Sequence, residues 1–137
     1  MSNILIKRNL LEKYKNEPQS YVKLWKHHGP IKQARRFDRV AKERNELWLA
    51  GCGGTVSSEW LFPKILETLE CAPAVYDATY RFYDAVDWLS LVLTGKETHN
   101  PCMAGLKGYW DAETGYPSND YFREVDPRLD GIVGTKV

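Results

Sequence analysis

Phe82-Tyr83-Asp84-Ala85-Val86-Asp87-Trp88-Leu89-Ser90-Leu91-Val92-Leu93-Thr94-Gly95 is the stretch that decides the fold class. Phe82, Val86, Leu89 and Leu93 recur at spacings of three and four, which places them on one face of a helix. Gly95 follows the last apolar position, where a left-handed residue stops a helix at low steric cost. The spacing predicts a helix over 82–94 with those residues sharing one face. Toward the N-terminus, Ser57 or Ser58 caps a second helix. Its buried stripe is Leu61, Phe62, Ile65, Leu66 and Leu69, with Lys64, Glu67 and Glu70 facing out and Pro63 in the first turn. Ala72-Pro73 ends that helix, and Pro73 suits the first position of a short one over Ala74–Thr79.

Residues 19–44 read as a helix in two parts. Tyr21, Leu24, Trp25 and His28 form one stripe, and Ile31, Ala34, Val40 and Ala41 resume it, with Phe37 one position off. Gly29-Pro30 lies between the parts, where a proline removes a backbone bond and crowds the carbonyl of Lys26. Gly51-Cys52-Gly53-Gly54-Thr55 is a tight loop. It lacks the third glycine of a dinucleotide fingerprint and the Gly-Lys pair of a phosphate loop. Thr98–Trp110 reads as irregular structure with one helical turn, Ser118 caps a short helix through Val125, and Asp126-Pro127 stops it. The 137 residues fit one domain. The fold class is mainly α with short strands.

The global charge of +1 implies no nucleic-acid or membrane partner. The distribution is uneven: residues 1–46 hold 12 basic and 5 acidic side chains, the remainder 7 and 13. Lys32, Arg35, Arg36, Arg39, Lys42 and Arg44 make a basic outer face on residues 32–44, read as a solvated surface rather than a nucleic-acid stripe because it lacks aromatic interleaving. The apolar run Trp88–Leu93 falls far short of the ~20 residues of a membrane span. Three widely spaced cysteines, Cys52, Cys71 and Cys102, read as free, buried thiols of a reducing cytosol, and Met1–Arg8 has the wrong pattern for a signal peptide. These features predict a cytoplasmic protein.

Tests for chemistry are mostly negative. Adjacent His27 and His28 point about 100° apart on a helix and cannot jointly hold one metal. His99 and Cys102 have a ligand spacing but no second local pair. Asp84 and Asp87 share a helix face, as a carboxylate pair or as solvated and capping groups. Trp25, Trp60, Trp88 and Trp110 fall beside apolar stripes, with flat faces that suit a core or the C–H face of a sugar.

Four segments in order resemble the FGGY type of carbohydrate kinase, and within it the branch that phosphorylates the ketopentose L-ribulose. They are Val22-Lys23-Leu24-Trp25-Lys26-His27-His28, Ser57-Ser58-Glu59-Trp60 through Pro63-Lys64, Asp84-Ala85-Val86-Asp87-Trp88-Leu89 with Leu93-Thr94-Gly95, and Ala104-Gly105-Leu106-Lys107-Gly108-Tyr109-Trp110. The resemblance covers roughly residues 11–137 and leaves 1–10 as a tail or extension outside the family pattern. It implies a helical segment of the ribonuclease-H-like (actin-like ATPase) N-terminal domain of a sugar kinase, present as a fragment about a quarter of the family length. In the family, ATP and magnesium sit on an Asp-x-Gly-Thr loop, which does not occur in this sequence, and the catalytic aspartate follows the part matched here. The resemblance therefore implies no catalytic residue, cofactor site or metal site in this chain and no activity in isolation. It places Lys107 and Trp25 in the sugar pocket. Leu106 and Gly108 depart from the family's Tyr and Ala beside that lysine, and Gly29-Pro30 departs from the Ala-Ala or Gly-Ala usual after the two histidines. The implied partners are a ketopentose, bound weakly in isolation, and the remaining kinase segments. Helix faces that would pack on those segments predict self-association or marginal stability. The alternative is a helical interaction module descended from a kinase and without enzymatic activity.

Overall fold

The computed structural model describes residues 2–6 and 11–137, with side chains from Glu12 onward. The chain runs β1 (Ser2–Ile6), α1 (Leu11–Tyr14), a 3-10 turn at Pro18–Ser20, α2 (Ile31–Glu43), α3 (Trp48–Gly51), α4 (Leu61–Cys71), α5 (Pro73–Ala78), β2 (Thr79–Asp84), α6 (Ala85–Thr94), α7 (Pro101–Lys107), α8 (Asn119–Val125), a 3-10 turn at Pro127–Leu129 and α9 (Ile132–Thr135). Mainly helical character with short strands is what the sequence predicts. β1, in the stretch read as a tail, pairs antiparallel with β2, Ser2 opposite Asp84 and Ile4 opposite Phe82.

The organising element is α4. Every residue from Leu61 to Leu69 is buried, so the helix has no solvated face. The apolar stripe is the expected one, and α2 packs against it through Ala34, Phe37, Val40 and Ala41. Phe37, one position off the sequence stripe, is nonetheless fully buried. α8 and the turn after α7 complete the core: Phe62 lies 4.6 Å from Phe122 and 5.1 Å from Tyr109, and Trp48 stacks on Tyr109 at 4.3 Å. Such aromatic contacts add about 0.5–1.5 kcal/mol each beyond the area they bury. Ser118 caps α8 as expected, accepting from the Tyr121 amide at 3.3 Å, and the Tyr121 hydroxyl donates to the Phe37 carbonyl at 3.0 Å.

Several expectations are corrected. Lys64 and Glu67 do not face out; both are buried, for reasons given below. Residues 21–30 do not form the first part of a helix. That segment is irregular, and α2 begins only at Ile31, after Pro30. Trp60, rather than Ser57 or Ser58, is the residue before α4, while the Ser57 hydroxyl accepts from the Glu59 amide in the preceding turn. Thr98–Trp110 holds a seven-residue helix, α7, instead of a single turn. Cys71 and Cys102 are exposed and only Cys52 is half-buried, although all three are free thiols as read.

The helix that decided the fold class starts at Ala85, because Phe82 belongs to β2, where its amide donates to the Lys136 carbonyl at 2.7 Å. Gly95 ends it as expected, at φ 68° with its amide on the Leu91 carbonyl. Its apolar face is turned outward. The buried residue of α6 is Asp87, whereas Val86, Leu89 and Leu93 are 39%, 49% and 75% exposed, beside Val92 and Trp88. Periodicity finds the apolar stripe but cannot say what covers it.

A contiguous apolar strip of this kind is rare on stable monomers. The isolated chain is expected to self-associate through α6. Sedimentation over a concentration series should show a rising mass, and Leu89→Glu with Leu93→Glu should return a monomer. A monomer at all concentrations for the unsubstituted chain would contradict this.

Candidate functional site

The two residues that the sequence marks for a sugar pocket sit on different supports. Lys107 ends α7 and is half-buried. Asp87, buried on α6, fixes the start of that helix: its Oδ1 accepts from the Asn100 amide at 2.7 Å, and the Asn100 side chain accepts from the Met103 amide at 3.2 Å as the N-cap. His99 lies 3.4 Å from Asp87 Oδ2, so the His99–Cys102 pair is not drawn together as metal ligands. Asp87 is thus a capping partner, one of the two roles its spacing allowed.

Trp25 lies in the irregular segment and is 58% exposed. Its neighbours are not loose. Lys23 runs into α4, where its Nζ donates to Glu67 Oε2 at 2.6 Å, Thr68 Oγ1 at 3.0 Å and the Lys64 carbonyl at 3.1 Å. Three acceptors satisfy all three ammonium protons, the condition under which a buried charge is tolerated. His27 Nε2 meets the same carboxylate at 2.9 Å. His28 faces Glu59 at 3.5 Å instead, so the two histidines diverge as read, although not on a helix. Gly29 passes so close to Glu67 and His27 that a Cβ there would overlap Glu67 Oε1. A side chain at position 29 would therefore require the Glu67 or His27 side chain to shift.

Lys64 on α4 reaches the Trp25 segment. It is 2% exposed, and its Nζ donates to the Leu24 carbonyl at 3.0 Å. Burial lowers its pKa and the Lys107 ammonium lowers it further, against the pull of Asp84 and Glu59. Asp84, also buried, is raised by burial, with Lys107 and Lys64 acting to hold it down. The signal that could have found Lys64 and Glu67 is that α4 carries apolar residues on nearly all sides, so its charged positions had to be buried with partners.

One surface groove runs along the Trp25 segment, lined by Pro18, Tyr21, Lys23, Leu24, Lys26 and His27. Among the described residues no three His, Cys, Asp or Glu side chains cluster to hold a metal ion. The basic run of α2 is largely paired: Arg39 with Glu43, Lys42 with Asp38, and Arg36 with Glu70 and Asp126. No helix among the described residues is long and apolar enough to cross a membrane.

Comparison with known proteins makes the chain a relative of the sugar kinases. No family model matches the sequence. The relatives themselves are ribulokinases: the enzyme of Bacillus licheniformis is 47% identical over 126 residues, that of Halalkalibacterium halodurans 43% over 128 and that of Staphylococcus aureus 42% over 127. The matches take in 92–93% of this chain but only 23% of each relative's length. The chain is homologous to one stretch of the ribulokinase polypeptide.

Burial works to raise the Glu67 carboxyl, but the bond and charge of Lys23, then those of His27, bring it below the ordinary glutamate value. A carboxylate depressed on folding contributes stability that is complete above its unfolded pKa and lost as pH falls through the folded one. Stability should therefore decline as pH falls below roughly 5, and Glu67→Gln should make that decline shallower. Asp38 and Asp126, also held low, should keep part of it. Denaturant midpoints against pH provide the check, and an unchanged acid slope in Glu67→Gln would exclude the pairing.

Proposed function

We propose that this chain carries part of the sugar site of an ATP-dependent L-ribulokinase and does not transfer phosphate by itself. The observation that carries the reading is the 41–47% identity to ribulokinases along nearly the whole chain, against 23% of their length. In the complete enzyme Lys107 donates hydrogen bonds to ketose oxygens, and Trp25 packs on the carbon skeleton. The segment belongs to a ribonuclease-H-like N-terminal domain, and the rest of the kinase covers the apolar face of α6. The ATP phosphates, the magnesium and the base lie on that remaining polypeptide. What supports this placement is that the sequence has no Asp-x-Gly-Thr loop, the segment to which the family resemblance assigns ATP and magnesium. Phosphoryl transfer rests on positioning and on neutralising charge at the γ-phosphate, and a chain with neither group in place lacks both contributions.

The 137-residue chain is expected to release no ADP from ATP and magnesium with L-ribulose above a blank, and to bind the sugar no tighter than roughly millimolar. Exchanging residues 11–137 for the matching stretch of the B. licheniformis enzyme restores the site. There Lys107→Ala should raise the sugar KM or lower kcat and leave the KM for ATP nearly unchanged. Turnover by the isolated chain that survives repurification, or a Lys107→Ala chimera equal to its parent in every sugar parameter, would contradict the reading.

A further inference from the structure

Lys23 and Lys64 cross each other. The Lys23 ammonium donates to the backbone carbonyl of Lys64 at 3.1 Å, and the Lys64 ammonium donates back to the carbonyl of Leu24 at 3.0 Å. Leu24 is held a second time, because the His27 amide donates to the same carbonyl at 3.0 Å. His27 in turn reaches Glu67, one turn along α4 from Lys64. The backbone on both sides of Trp25 is thereby pinned to α4, while Trp25 itself remains 58% exposed. An exposed tryptophan on a pinned backbone serves to present a rigid apolar face: ordering its loop has already been done by folding, so a ligand does not have to supply that entropy.

A lysine that only bridged two segments could stand anywhere along α4. This one is 2% exposed, and its ammonium is directed to the Leu24 carbonyl, next to Trp25. We propose that Lys64 is a positioning residue of the sugar site, fixing the Leu24–Trp25 backbone against α4. This rests on the sugar-site reading of Lys107 and Trp25 given above. Lys64 does not touch the sugar. It sets where the apolar face of Trp25 stands on α4, a task that suits an ammonium group because it supplies donors at the end of a long stem. Methionine keeps the length and apolar stem of the side chain but removes the charge and every donor.

Two measurements test it. In the 137-residue chain, the His27 amide should be protected from hydrogen exchange in step with the amides of α4. A His27 amide that exchanges at the open-chain rate would overturn the proposal without any substitution. In the chimeric kinase, Lys64→Met should raise the L-ribulose KM roughly tenfold or more while the KM for ATP stays within about twofold, a split that general destabilisation would not give. If Lys64→Met leaves the sugar KM unchanged while Lys107→Ala impairs it, the Lys64 assignment fails and the sugar-site reading survives. If neither changes it, both fail. A Lys64→Met chimera that does not fold leaves the exchange measurement on the unsubstituted chain as the deciding one.

Discussion

The rest of the structure depends on the buried ion pair between Lys23 and Glu67. Glu67 projects from a helix with no solvated face, so its charge must be met inside the protein. An unpaired buried carboxylate costs several kcal/mol, and pairing is tolerable only where further hydrogen bonds complete the shell. Lys23 and His27 complete it from outside the helix. Residues 21–30, which have no helical ladder of their own, therefore take their shape from the charges of α4. Lys64 strengthens the arrangement from the other direction, and Gly29 permits the close approach. The local backbone is decided by side-chain electrostatics two elements away.

The second constraint is the turning of α6. Asp87 faces inward to hold the Asn100 end of α7, and that choice sends Leu89 and Leu93 to the surface. A carboxylate bond to a backbone amide and the apolar stripe compete for one side of the helix, and in this chain the carboxylate holds it. The cost is an exposed apolar strip, which a complete kinase would relieve by covering it. The same bond sets the start of the helix that ends at Lys107, so the candidate site and the exposed strip share one cause.

Much of the fold was legible in the sequence. The stripe of α4, the Pro73 start of α5, the Gly95 stop and the Ser118 cap are local signals, and each appears as read. Residues 21–28 failed because their helical spacing carries no information about Lys23 leaving the helix to meet Glu67. Phe82 failed because a strand and a helix meet at Asp84 within one continuous apolar pattern, and pairing with β1 is a long-range fact. Lys64 and Glu67 were read as solvated because charge normally marks an outer face, a rule that does not hold for a helix buried on every side. For the site, Lys107 and Trp25 came from family resemblance, whereas the residues that support them became visible only from the structure.

The account's central claim is that the buried charges of α4 shape the Trp25 segment. A double-mutant cycle on Lys23→Met and Glu67→Gln, read by denaturant unfolding, tests it most directly. Each single substitution should cost about 3 kcal/mol or more, since it strands a buried partner, and the double variant should cost less than the two together by more than about 1 kcal/mol. Two small losses that simply add would mean that the pair does not organise this part of the chain.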